Sequence, residues 1–134
     1  MEDGERVLGN WSVDYIPPAG HRFRGQLCVT DRRVMFAAEV DRRQFEGAVI
    51  GPVDCEAVAY ALDLDAPNVA YDGSHLLISI PASQIERVTA DHSLLDNCAS
   101  LTIKNNGSIQ LFDKGLLPVT AVVRAIQKAT GNAT

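Results

Sequence analysis

Residues 25–36, GQLCVTDRRVMF, constrain the fold more than any other stretch of the chain. Phe23, Gly25, Leu27 and Val29 share one parity, and Arg24, Gln26, Cys28 and Thr30 share the other. Thr30-Asp31-Arg32-Arg33 interrupts the alternation, and Val34-Met35-Phe36-Ala37-Ala38 resumes it. Alternation, a polar break and renewed alternation predict two antiparallel strands joined by a tight turn. Asp31 suits that turn because its carboxylate can accept a nearby backbone N–H.

Other segments repeat the pattern. In residues 6–15, Val7, Gly9, Trp11, Val13 and Tyr15 share one parity and Asn10, Ser12 and Asp14 the other, which predicts a half-buried first strand with Trp11 facing the core. Ile16-Pro17-Pro18-Ala19-Gly20 must leave the ladder, since two prolines remove two donors. Phe45, Gly47 and Val49 alternate until Gly51-Pro52. Val58, Tyr60, Leu62 and Leu64 alternate with Ala57, Ala59, Ala61 and Asp63; we read a strand, with the alanines leaving a helix open. Ala66-Pro67-Asn68 and Tyr71-Asp72-Gly73-Ser74 carry loop chemistry. Residues 76–80 form a strand ended by Pro81, and Ile85 and Val88 begin a short one before a polar connection at 91–97. Residues 101–104 and 108–112 flank Asn105-Asn106-Gly107, whose Asn-Gly supplies the positive φ values of a type I′ hairpin turn.

The period then changes. Leu116, Val119, Val122, Val123 and Ile126 recur at helical spacing, with Pro118 in the first turn, Lys128 near the end and Gly131 as a stop. Many antiparallel strands followed by one amphipathic helix predict a mainly β (α+β) domain. Its antiparallel barrel or curled sheet of about seven to nine strands would be capped by the C-terminal helix. At 134 residues a single domain is expected.

Net charge −5 opposes wholesale binding to nucleic acid or an anionic membrane, and no apolar run approaches the length of a transmembrane helix. The acidic start MEDGERVLGN is not a secretory signal. Cys28, Cys55 and Cys98 are widely spaced and odd in number, which reads as reduced thiols in a cytoplasmic protein. The three Asn-x-Ser/Thr sequons, at Asn10, Asn106 and Asn132, are then chance occurrences.

Glu5-Arg6-Val7-Leu8 resembles the start of a GRAM domain. So do Gly25-x-Leu27-x-Val29-Thr30-Asp31-Arg32-Arg33-Val34-x-Phe36, Ile80-Pro81-x-Ser83-x-Ile85-x-x-Val88 and the final strand with Phe112. GRAM domains are similar in fold to pleckstrin-homology (PH) domains. The match covers roughly residues 5–36 and 76–128; residues 39–75 depart from it as an atypical insertion with strands of their own.

Catalysis finds no support in motifs. His21, His75 and His92 fall in loop-like positions without metal spacing, and neither a nucleophile elbow nor a P-loop occurs. Asp63-x-Asp65 with Asn68 lacks the glycine and final glutamate of a calcium loop. No enzyme activity, cofactor or metal is expected. PH domains that bind phosphoinositides carry a basic residue late in the first strand and a basic-x-Arg pair in the second. By that resemblance His21, Arg22 and Arg24 would clamp a lipid phosphate, as a peripheral membrane protein would, although the first strand supplies Asp14 in place of a cation. The same arginines also read as a solvated strand face. Arg42 and Arg43 form a further basic pair that could join them in a patch or simply solubilise a turn. The Arg32-Arg33 pair lies within the resemblance and points to the fold. The favoured reading is a non-catalytic adaptor that binds a protein partner or self-associates through an exposed sheet edge. Residues 45–64 serve either as a dimer surface or to complete the barrel.

Overall fold

A computed structural model describes residues 4–16, 22–45, 54–92, 97–103, 108–113 and 116–131. Eight strands form one sheet: β1 (Val7–Tyr15), β2 (Phe23–Thr30), β3 (Arg33–Glu39), β4 (Val69–Tyr71), β5 (His75–Pro81), β6 (Ile85–His92), β7 (Asn97–Ile103) and β8 (Ser108–Asp113). Their order across the sheet is β4-β5-β3-β2-β1-β8-β7-β6, and every pairing is antiparallel. The described residues also include two α-helices, α1 (Cys55–Leu62) and α2 (Leu116–Thr130). The result is a curled half-barrel with a C-terminal helix, the mainly-β class that the alternation predicts and one consistent with a PH-like fold.

The curl is set at two places. β1 pairs with β2 along its length but with β8 only through Asp14–Phe112 and Tyr15–Leu111, so the two halves of the sheet share a narrow seam. β2 separates from β3 at Gly25, beyond the last pair, Gln26–Ala37. A Cβ on Gly25 would stand 2.3 Å from the Ala37 carbonyl oxygen and 2.8 Å from the Phe36 ring, so this close approach excludes any side chain. Glycine here lets β2 bend while Phe36 fills the space beneath it.

One face of each strand feeds a continuous core. Phe23, Leu27 and Val29 of β2 meet Val34 and Phe36 of β3 and Ile78 and Ile80 of β5. Trp11 is half-buried against this core. Five aromatic rings make a chain through it: Phe36 edge-on to Tyr15, Tyr15 beside Phe23, Phe23 beside Phe45, and Phe45 edge-on to Tyr71. α2 covers the concave side against β1, β2, β6, β7 and β8, burying Val119, Val122, Val123 and Ile126.

The largest departure from the sequence reading is α1. Val58, Tyr60, Leu62 and Leu64 were expected on a strand; instead residues 55–62 are helical. Asp54 caps the helix by accepting the Ala57 N–H at 2.8 Å, and Asp63 ends it in the left-handed conformation at φ 59°. Val58, Ala59 and Leu62 face inward at helical spacing, and Tyr60, in the apolar parity of the supposed strand, is 84% exposed. Alanine-rich alternation is compatible with either period, and the caps decide it.

Smaller differences follow the same logic. Tyr71 was assigned to a loop but ends β4, while Asp72 makes the predicted turn chemistry by accepting the Ser74 and His75 backbone N–H groups. Those bonds, followed by the His75 ring, hold the Asp72 carboxyl well below the usual carboxylate range. β6 continues through Asp91 and His92, which pair with Cys98 and Asn97, so the expected polar connection is shorter. The predicted strand at 45–49 (beyond Phe45) and the Asn105-Asn106-Gly107 turn lie outside the described residues.

Truncation at Gly115 tests the role of α2. Losing four buried side chains, each worth roughly 1.5–3 kcal/mol, is comparable with the whole stability of a domain this size. The shortened chain is therefore expected to lose its cooperative melting transition, read by circular dichroism.

Candidate functional site

The hairpin turn between β2 and β3 is a structural hub. Glu5 has a fully buried side chain and receives Arg33 through two bonds, Nε to Oε2 at 2.9 Å and Nη2 to Oε1 at 2.8 Å. Thr30 Oγ1 donates to the same carboxylate at 2.6 Å and accepts the Arg33 N–H at 3.1 Å. Arg6 and Asp31 exchange two further bonds, the Arg6 N–H to Asp31 Oδ1 and the Asp31 N–H to the Arg6 carbonyl. On the other side, Ala82 donates its N–H to the Arg32 carbonyl at 2.8 Å, and Arg33 pairs with Pro81. Arg33 thus serves the fold, as its place in the motif suggested. A Glu5→Ala variant leaves the guanidinium, only 30% exposed, without its counter-ion. The expected cost is about 2–3 kcal/mol by denaturant melting, and Glu5→Met with Arg33→Leu recovers much of it.

Two of the residues predicted to clamp a phosphate meet at one carboxylate. Arg22 Nη1 reaches Asp14 Oδ2 at 2.6 Å, and Arg24 Nη1 reaches Asp14 Oδ1 at 3.2 Å. Register explains this, because Asp14 lies directly opposite Arg24 across the β1–β2 ladder. One carboxylate, 12% exposed, therefore meets both guanidinium groups, each through Nη1. His21 lies outside the described residues, as does the side chain of Arg42. Arg43 is exposed beside Asp41, 3.6 Å from its carboxylate.

Arg24 and Arg43 line two adjoining shallow clefts that share Glu39 and His75. Arg22 and Arg24 share the Asp14 carboxylate, and Arg43 stands beside Asp41. Alanine at both Arg22 and Arg24 is expected to lower stability by about 1 kcal/mol, through the uncompensated Asp14, and to leave sedimentation with phosphoinositide vesicles unchanged. Lost sedimentation with unchanged melting would mark a phosphate clamp instead.

Other chemistry-bearing groups are dispersed. Among the described residues no three His, Cys, Asp or Glu side chains gather as metal ligands. Cys28, Cys55 and Cys98 are free thiols. Burial, and then the Asp63 carboxylate, push the Tyr15 hydroxyl far above its ordinary range, so it remains a neutral phenol, without a hydrogen-bond partner among the described residues. No helix among those residues is long and apolar enough to cross a membrane.

The sheet edges differ sharply. β4, one edge, has three residues and lies against α1. The Cys55 thiol accepts the Tyr71 N–H at 3.4 Å and lies 3.5 Å from the Tyr71 carbonyl, so this edge is capped within the chain. β6, the other edge, has eight residues and no proline, and among the described residues it pairs only with β7. Its irregularity is a bulge at Glu86, between the Ile85–Ile103 and Arg87–Thr102 pairs. Nothing in the isolated sequence marked 85–92 as an edge, because strand order is a property of the closed fold.

Comparison with known proteins supports the fold alone. No protein-family model matches the chain, and no curated protein matches it. Among solved structures, it is similar to the C-terminal domain of an unknown protein from Leishmania infantum. The two are 14% identical with a TM-score of 0.54, over 92% of this chain and 85% of that one. It is also similar to the hSac2 domain of the human phosphoinositide phosphatase Sac2. There the identity is 11% and the TM-score 0.53, over 96% of this chain and 74% of that one.

Proposed function

We propose that the chain is a GRAM-like, non-catalytic association module that binds a protein segment as an added strand along β6. The carrying observation is the contrast between the two edges. β4 is short and the backbone N–H and carbonyl of its Tyr71 meet the Cys55 thiol, whereas β6 is long and has no strand partner on its outer side among the described residues. A free edge of that length presents a row of backbone donors and acceptors, a template for an extended chain. The GRAM-like assignment is supported by the meeting of its motifs at one corner. Glu5 and Arg6 bind the Thr30–Arg33 turn, which in turn pairs with Pro81 and Ala82.

The reading applies to a cytoplasmic setting, where free thiols persist. Lipid recognition through Arg22 and Arg24 is less well supported, because Asp14 already holds both side chains.

Residues along β6 alternate between bonding to β7 and facing outward. Of Thr89→Pro and Ala90→Pro, one therefore removes a ladder bond and the other an outward donor. The ladder variant is expected to melt earlier and the outward variant to keep its fold. Peptides selected from a displayed library should slow hydrogen exchange in β6 and lose affinity at least tenfold for the outward variant. Selected peptides that leave β6 exchange unchanged would overturn the reading.

A further inference from the structure

The β6 edge carries a self-complementary sequence. Past the bulge at Glu86 the strand alternates regularly: Arg87 and Thr89 are exposed, Val88 is buried and Ala90 half-buried. Asp91 follows at the register position two beyond Thr89, opposite Cys98, just as Thr89 lies opposite Ser100 and Arg87 opposite Thr102. The alternate register positions 87, 89 and 91 therefore read Arg-Thr-Asp, and Val88 and Ala90 lie between them.

Resting on the reading of β6 as a binding edge, we propose that the added strand is β6 of a second copy of this chain, paired antiparallel about a two-fold axis through Thr89. A two-fold axis perpendicular to the sheet keeps convex residues opposite convex residues, so it must pass through a residue rather than between two. About Thr89, Arg87 stands opposite Asp91 of the second copy, twice by symmetry, and Val88 stands opposite Ala90. Glu86 then stands opposite His92. Shifting the axis to Val88 sets Arg87 opposite Thr89 and Glu86 opposite Ala90. An axis at Ala90 sets Thr89 opposite Asp91 and Val88 opposite His92. Of these three registers only the one about Thr89 sets opposite charges opposite one another at positions 87 and 91 and apolar residues opposite one another at positions 88 and 90. Cross-strand charge pairs fix register in this way because like charges directly opposite are unfavourable.

Sedimentation velocity across a protein concentration series at low salt tests the pairing. The wild-type chain is expected to form a dimer that weakens with added salt, since exposed pairs are screened. Arg87→Asp sets aspartates opposite one another and Asp91→Arg sets arginines opposite one another; each is expected to weaken the dimer at least tenfold. An equimolar mixture of the two variants restores opposite charges at both positions and is expected to recover the dimer as a heterodimer. Circular dichroism melting checks that each variant folds, and Thr89→Lys, which puts two like charges on the axis, replaces either one that does not. A wild-type chain that is monomeric throughout, a dimer indifferent to charge reversal, or folded variants that fail to recover on mixing would each overturn the proposal. Library peptides that still protect β6 from exchange would then leave the edge reading standing with a different occupant, and their failure would remove both.

Discussion

The fold depends on one buried ion pair. Glu5 has no solvent exposure at its carboxylate, and a lone charge there would be prohibitive. Arg33 meets both carboxylate oxygens, and Thr30 adds a third bond, so the charge is matched and its acceptor sites are used. Desolvating such a pair offsets much of its Coulomb gain, so its main contribution is positional. It holds the entry to β1 against the β2–β3 turn, and that turn holds Ala82 at the start of the connection to β6. Segments far apart in sequence are thereby fixed at one corner before the core between them is considered.

Those elements were legible because each has one buried face. In β2, β3 and β5 the alternation of burial follows the alternation of residue type, and a one-residue slip would expose Leu27, Phe36 and Ile78 together. α2 was legible for the same reason at a different period, with its predicted bounds matching those observed. The helix α1 was ambiguous because alanine and alternating apolar residues satisfy both periods, and only Asp54 and Asp63 acting as caps separate them. β4 has three residues and no pattern to read; it exists because β5 offers it a ladder and α1 packs against it. The basic residues were visible, yet their pairing with Asp14 follows from register, which places residue 14 opposite residue 24.

Edges are the hardest feature to read from sequence, since they depend on which strands fail to meet. A sheet of this curl could in principle close by joining β4 to β6, which would remove both edges. Two local features oppose that closure. The Cys55 thiol and α1 occupy the outer side of β4. The short link from β5 to β6, residues 82–84, is tied back to Arg32 rather than running beside β4. Helix α1 therefore covers one edge, while among the described residues β6 has β7 on one side and no strand on the other. An unpaired edge of eight residues is a hazard unless water or another chain satisfies it, and the bulge at Glu86 guards only its first turn of ladder. Beyond that bulge the strand carries charges of both signs spaced four apart, an arrangement that discourages stacking in arbitrary registers while permitting one.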